Sequence, residues 1–148
     1  MIDRSGFTLL ELLVAVSLAS VLTGAALLGY QRMLASWRLD AAARQIVMDL
    51  KLARARAILD SATHRVRFAV PGGSYQHERQ RPSGAYEASG PPTALPADVE
   101  VAACTAAGSG ISFRPRGYAA AFGTVALRNR DGQMRSVVVD IMGRMRVQ

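Results

Sequence analysis

The chain has 148 residues, half of them hydrophobic, a formal net charge of +7 and one cysteine. This length indicates one domain and excludes a large multidomain enzyme, and a single cysteine excludes an internal disulfide framework and a four-cysteine zinc site. With only 20% charged residues, the chain is also too hydrophobic to be disordered.

The first predicted element is an apolar helix over residues 7–30, whose only charged residue is Glu11. Such a helix is about 36 Å long, enough to cross a hydrocarbon core of about 30 Å. A secretory signal peptide fits poorly, because its apolar region is usually about 7–15 residues long and ends at a small-residue cleavage site. A plain membrane anchor leaves Glu11 unexplained, because a carboxylate in hydrocarbon costs several kcal/mol unless it is neutralised or paired.

Glu11 is explained if the chain is cut before Phe7, because the new α-amino group is a positive charge in the same environment. The sequence from Arg4 to Glu11 resembles the class III leader of type IV pilins and type II secretion pseudopilins. In that family a prepilin peptidase cleaves after the glycine and methylates the new N-terminal residue, and the glutamate pairs with a neighbour's N-terminus during assembly. The resemblance therefore implies cleavage between Gly6 and Phe7, N-methylation of Phe7 and an assembly role for Glu11.

The helix is predicted to continue beyond the membrane segment. Apolar residues recur in steps of three and four over residues 39–57, which gives one stripe for packing against a globular head. Two pairs of opposite charge four residues apart are expected to support this half, Asp40 with Arg44 and Arg56 with Asp60. The whole helix then covers about 50 residues, roughly 75 Å.

After the helix the apolar pattern alternates, which predicts β-strands. The candidate strands are residues 64–70, 99–103, 111–113, 123–127, 136–141 and 144–147. Residues 74–96 are rich in glycine and proline and are expected to form a loop with one short strand near Tyr75. Asp131-Gly132 and Met142-Gly143 mark turns, the first because Asp-Gly supplies the positive φ angles that tight hairpins need.

The predicted fold class is α+β, a long N-terminal helix packed on an antiparallel sheet that lies mostly late in the chain. The predicted organisation is a leader at residues 1–6, a transmembrane or filament-core helix at 7–30, an amphipathic helical half at 31–62 and a β-rich head at 63–148.

The late motifs resemble the C-terminal domain of the GspH/FimT family, which has a type IV pilin-like fold. They are residues 113–117, 123–127, 131–133, 137–139 and 143–147, together with the helical segment 50–58. Members are minor type IV pilins or the minor pseudopilin H of type II secretion, and both alternatives stay open here. The resemblance implies other pilins or pseudopilins, prepilin peptidase and the inner membrane as partners, a periplasmic head and a place in the filament.

The sequence has few side chains in patterns typical of catalysis or metal binding, so no enzyme, metal site or cofactor is predicted. His64 and His77 lie apart from any cysteine or carboxylate cluster at ligand spacing. Asp98 and Glu100 are the only closely spaced acids, and they are expected to be solvated. Cys104 lies in a small-residue strand and is expected to be a buried thiol.

The distribution of the basic residues is the remaining sequence feature that indicates a binding partner. Residues 111–148 hold seven arginines and two aspartates, a net charge of +5 that attracts polyanions. Gly-Arg-x-Arg at residues 143–146 resembles the DNA-contacting tail of FimT-type minor pilins, which implies non-specific binding of double-stranded DNA. The implied residues are Gly143, Arg144 and Arg146, with Arg114, Arg116, Arg128, Arg130 and Arg135 as further candidates. The alternative is an exposed sheet face that arginine keeps soluble.

Overall fold

The computed structural model describes residues 8–148, except the side chains of Leu27 and Leu28. Gly6 and Phe7, the predicted cleavage site, lie outside these residues. One helix, α1, runs from Leu9 to Leu59. The chain divides into two compact units, Met1–Leu34 and Ala35–Gln148, and each is considered by itself.

In the first unit, every side chain described within residues 8–33 is exposed. This half of α1 is long and apolar enough to cross a membrane, by length and composition. Its large exposed apolar residues are Leu9, Leu10, Leu12, Leu13, Val14, Val16, Leu18, Val21, Leu22, Tyr30 and Met33.

The second unit contains the rest of α1, a short 3₁₀-helix at Ala107–Ser109 and nine strands. The strands are β1 (His64–Phe68), β2 (Ser74–Gln80), β3 (Tyr86–Ala88), β4 (Thr93–Ala94), β5 (Val99–Cys104), β6 (Gly110–Phe113), β7 (Gly123–Asn129), β8 (Met134–Val139) and β9 (Met145–Val147). They form two antiparallel sheets, one ordered β3-β2-β1-β6 with β4 beside β2, the other β5-β7-β8-β9. The α+β class with one long N-terminal helix is confirmed.

The predicted short strand near Tyr75 is confirmed as part of β2, but the prediction of a loop over the rest of residues 74–96 was wrong, because β2 continues to Gln80 and β3 and β4 follow. Strand β2 has only one large apolar side chain, Tyr75, so it lacks the alternation that marks a strand in sequence. Its buried acid, Glu78, is paired with Arg65 of the neighbouring β1. The first sheet therefore forms early in the chain, and the sheets are not mostly late.

The predicted helical stripe is confirmed, and it forms one side of the core. Its residues are 0–1% exposed: Leu39, Ala43, Ile46, Leu50, Ala53 and Ala57. Alternate strand residues complete the core, among them Val66, Val101, Phe113 and Val137.

Both predicted ion pairs within the helix were wrong, because the acids pair elsewhere. Asp40 binds the Nε of Arg135 on β8 at 2.8 Å, and Arg44 donates only to the backbone oxygen of Asp40. Asp60 contacts the Nε2 of His64 at 2.9 Å instead of Arg56. An exposed pair on one helix gains only about 0.3–0.5 kcal/mol, so half-buried partners on the sheet compete successfully.

A further polar contact joins α1 to β2. Tyr75, 1% exposed, donates its hydroxyl hydrogen to Asp49 and accepts a hydrogen bond from the Nε2 of Gln45 at 3.0 Å. Burial, and then the bond to Asp49, raise the pKa of Tyr75, so the phenol stays protonated. His77 Nε2 lies 3.4 Å from the other oxygen of Asp49.

We expect residues 35–148 to fold without the first half of α1, because every buried core residue lies at Leu39 or later. This fragment should unfold in one cooperative transition. Leu50→Ala should lower its free energy of unfolding by about 2–5 kcal/mol, because a buried leucine leaves a cavity. Leu52→Ala, on the same helix but 42% exposed, is the matched control and should cost much less. Urea titration checks this, and equal losses for the two variants would contradict it.

Candidate functional surfaces

The start of α1 places Glu11 in a helix cap. Its backbone N–H donates to Thr8 Oγ1 at 3.3 Å, and Thr8-x-x-Glu11 has the spacing of a capping box. The Glu11 side chain is exposed and makes no ion pair with any of residues 8–148. The carboxylate is therefore available to a second chain, since the capping contact uses only the backbone N–H of Glu11.

The first half of α1 presents apolar side chains on all of its faces. The side chains described within residues 9–26 include leucines and valines that are 48–80% exposed. The polar side chains between them are locally satisfied, since Ser17, Ser20 and Thr23 each donate to a carbonyl three or four residues earlier. Such a surface is unstable in water and requires lipid or other apolar helices as its environment.

The structure separates the candidate arginines into three regions. At the β7–β8 turn, Arg130 and Arg38 bind Asp98 at 2.6 and 3.0 Å, and Arg128 binds Glu100 at 2.5 Å. Both acids are ion-paired; Glu100 remains 41% exposed to solvent as expected, whereas Asp98 is only 19% exposed. These carboxylates compete with any phosphate for Arg128 and Arg130, so this end of the sheet is a weak candidate for DNA.

Arg135 faces away from the other candidates. It lies two residues before Val137, and alternate residues of β8 share a face. Its side chain binds Asp40 of α1 and is thereby held at the boundary between helix and sheet. This contact stabilises the packing of α1 on the head.

The turn between β8 and β9 holds the Gly-Arg-x-Arg segment. Arg144 and Arg146 are exposed, and Met145 between them is half-buried against the core. Arg144 is 69% exposed and lies 3.2 Å from Asp140, whereas Arg146 has no ion pair within residues 8–148. Both side chains can therefore be reached from solvent at this end of the sheet.

Gly143 sets this turn and is itself buried. Its φ is +76°, and its N–H donates to the oxygen of Asp140 at 2.9 Å. A Cβ atom here would lie 2.8 Å from the backbone oxygen of Gly117. Arg54 of α1, which was not among the candidate site residues, donates its Nη1 to the oxygen of Gly143 at 3.1 Å. Gly143 thus positions the arginines and offers no side chain to a ligand.

The loop of residues 114–122 lies against the same turn. Ala119 N–H donates to the oxygen of Ile141 at 3.0 Å. Between the loop and the turn is an open cavity of about 530 Å³, lined by Arg114, Pro115, Arg116, Tyr118, Ala119, Ala120 and Ile141. We call these residues, with Phe122, Met142 and Arg144, the turn patch. Its apolar members were missed, although large apolar residues beside the turn glycines 117 and 143 are a signal that could have found them.

The described part of the chain contains no cluster of three or more histidine, cysteine or acidic residues that could hold a metal. His64 and His77 each contact a single carboxylate, Asp60 and Asp49, respectively. Burial lowers the pKa of His64 despite the opposing effect of Asp60. Cys104 is only half-buried, and burial raises the pKa of its thiol, which disfavours the nucleophilic thiolate.

Comparisons with known proteins agree with this geometry. The prokaryotic N-terminal methylation motif matches residues 1–27, and the family described as type II transport protein GspH matches residues 42–143. No curated protein sequence matches the chain.

Two solved structures share the fold. The minor pseudopilin EpsH of the Vibrio cholerae type 2 secretion system has a TM-score of 0.62 and 14% identity, covering 75% of this chain and 96% of that one. The type IV minor pilin FimU of Pseudomonas aeruginosa has a TM-score of 0.60 and 18% identity, covering 74% and 87%. At these identities the likeness is one of fold.

Proposed function

The chain belongs to the GspH family and is a minor pilin or pseudopilin, and on this premise we propose that it is a FimT-like minor subunit of a type IV pilus. In this proposal it is cleaved between Gly6 and Phe7, methylated on Phe7 and added to the filament through α1, where it helps to prime assembly at the tip. Before assembly the first half of α1 is held in the inner membrane, with the head in the periplasm.

One observation carries this proposal: the first half of α1 is exposed and apolar on all sides, and it has a single carboxylate, Glu11, near its start. In lipid or a filament core, such a helix gains from neighbouring helices by close packing. A carboxylate inside this apolar environment needs a cation beside it. The α-amino group of a cleaved neighbouring subunit is such a cation. The match of the methylation motif to residues 1–27 supports the same cut.

The alternative is the minor pseudopilin H of a type II secretion system, with a purely structural role. The family match and the EpsH-like fold are compatible with it. The exposed arginines of the Gly-Arg-x-Arg segment favour the pilus, because they are the feature shared with FimT-type subunits.

Deleting the gene separates the two assignments. We expect surface pili to fall at least about tenfold, because priming limits filament initiation, while secretion of folded proteins stays unchanged. The wild-type gene should restore piliation. Counting pili by electron microscopy and assaying exported enzyme in the same strain checks this, and a secretion defect with normal piliation would establish the alternative.

Non-specific DNA binding is a second candidate function, supported by the exposure of Arg146 in β9 and of Arg144 directly before that strand. Side chains two apart on a strand are separated by about 6.6 Å, close to two steps of about 3.4 Å along one DNA strand. Phosphate contacts of this kind position a protein without specifying sequence. Arg128, Arg130 and Arg135 contribute less in this proposal, because acids hold them at 2.5–2.8 Å. Arg144 lies farther, 3.2 Å, from its acid Asp140 and is 69% exposed.

We expect residues 35–148 to bind duplex DNA weakly and in a salt-dependent way. Affinity falls as salt rises, and the double variant Arg144→Gln with Arg146→Gln should make this dependence shallower. The slope of log affinity against log salt should shrink in magnitude by about 1.8, which is about 0.9 per lost phosphate contact. Arg44→Gln with Arg79→Gln is the control, since it removes the same charge from two exposed arginines that form no ion pair within residues 8–148. A gel-shift salt series checks this. Absence of binding at low salt would contradict DNA binding, and equal losses in both double variants would contradict its assignment to Arg144 and Arg146.

A further inference from the structure

The exposed apolar residues of the head are concentrated in one place. Outside α1, the large apolar side chains that are exposed within the described residues are Tyr118, Phe122, Met134, Ile141, Met142 and Val147. Four of these six belong to the turn patch, and each of the four is 44–60% exposed. A local cluster of this kind marks an interaction site, whereas scattered single residues do not.

Two residues of the cluster, Tyr118 and Ile141, line a depression in the surface. The bond from Ala119 to Ile141 holds the loop of residues 114–122 against the β8–β9 turn. Ile58 of α1 underlies the loop, since its Cδ1 lies 3.0 Å from the position of a Cβ on Gly117. The cavity of about 530 Å³ is large enough to receive one or two apolar side chains of a partner.

The rim of the cavity is positively charged. Arg114 and Arg116 line it, are exposed, and make no ion pair within residues 8–148. Arg144 and Arg54 lie beside the same turn, and Asp140 is the only acid paired there among the described residues. Arginine, tyrosine and methionine around an apolar centre is the composition of protein–protein hot spots. The phosphates of DNA make no favourable contact with the apolar wall of the cavity, so this composition favours a peptide over DNA.

We propose that the turn patch docks a segment of a neighbouring filament subunit that presents an aromatic or aliphatic side chain flanked by carboxylates. The apolar side chain enters the cavity, and the carboxylates bind Arg114 and Arg116. This inference rests on the proposed assembly function, which supplies the neighbour, while the charge and shape of the patch define the chemistry of the segment.

Fluorescence anisotropy on residues 35–148 tests the proposal with two labelled synthetic peptides. One has a central leucine–tryptophan pair flanked by aspartates and glutamates, and the other has asparagines and glutamines in their place. We expect the acidic peptide to bind at least about tenfold more tightly, because charge-assisted bonds to arginine are roughly twice as strong as neutral ones.

Two variants locate the binding. Arg114→Gln with Arg116→Gln should remove the preference for the acidic peptide. Ala120→Trp, at an exposed residue lining the cavity, should weaken both peptides by filling the space without changing the charge. Arg44→Gln with Arg79→Gln controls for net charge and should leave binding unchanged, and urea titration of each variant verifies that it is folded.

Failure of the acidic peptide to bind, equal affinities for the two peptides, or equal losses in the rim and control variants would overturn the proposal. So would binding of a DNA duplex that depends on Arg114 and Arg116 when neither peptide binds. The assay needs no filament, so its outcome is independent of the pilus count that tests the proposed function.

Discussion

Glu11→Ala is expected to lower the amount of the chain in sheared filaments at least about tenfold, while the head remains folded. In the proposed assembly, Glu11 pairs with the α-amino group of a neighbouring subunit inside the apolar core. Removing one partner of a buried ion pair leaves an uncompensated charge and costs about 3–5 kcal/mol. The head is unaffected because its core begins at Leu39. Quantitative immunoblotting of filaments and membranes from the same cells measures the effect.

The capping geometry at the start of α1 requires a second variant. Glutamine can replace glutamate in a capping box but carries no charge. Glu11→Gln should therefore fail in assembly almost as strongly as Glu11→Ala. Ser17→Ala is the control, because Ser17 bonds only to the carbonyl of Val14 in its own helix, and this variant should enter filaments normally. Normal incorporation of Glu11→Gln would show that the helix cap matters and the charge does not.

Gly143→Ala is expected to lower the free energy of unfolding of residues 35–148 by about 2–4 kcal/mol. Two costs combine at this residue: a left-handed backbone with φ of +76°, and a new Cβ that lies 2.8 Å from the backbone oxygen of Gly117. The opposing group is backbone held in its own turn, so it cannot move aside as a flexible side chain would.

Gly132→Ala is a closely matched control for this prediction. Gly132 occupies the corresponding position of the β7–β8 turn with φ of +78°, but nothing lies within 4 Å of its added Cβ. Only the backbone strain applies there, so the loss should be about 1 kcal/mol. Urea titration of both variants gives the difference. Equal losses would mean that the contact of Gly143 with Gly117 is unimportant and that the turn conformation alone requires glycine.

The elements with a strong periodic signal were predictable from sequence. The spacing of Leu39, Ile46 and Leu50 identified the buried stripe of α1, because a helix that packs on one side repeats its apolar residues every three or four positions. The Asp131-Gly132 and Met142-Gly143 turns were also found, since positive φ angles favour glycine there. Only a short strand near Tyr75 was predicted where β2 runs to Gln80, because the burial of Glu78 depends on its pairing with Arg65, a contact between strands that no local pattern reveals.

The candidate sites were predictable only as far as residue type allows. The arginines two apart were visible in sequence, but their partners are distant in the chain: Arg130 meets Asp98, and Arg135 meets Asp40. Tertiary pairing therefore decides which arginines remain available, and it leaves Arg114, Arg116 and Arg146 without an acid within residues 8–148. The cavity of the turn patch likewise exists only because two turns from different parts of the chain lie side by side.

The central claim is that this chain is processed and built into a filament, and mass spectrometry of purified sheared filaments tests it most directly. The account predicts that the chain is present at low abundance, with an N-terminal peptide that starts at an N-methylated Phe7. Detection of the chain only in membranes, or in filaments with the residues before Phe7 still attached, would contradict the account.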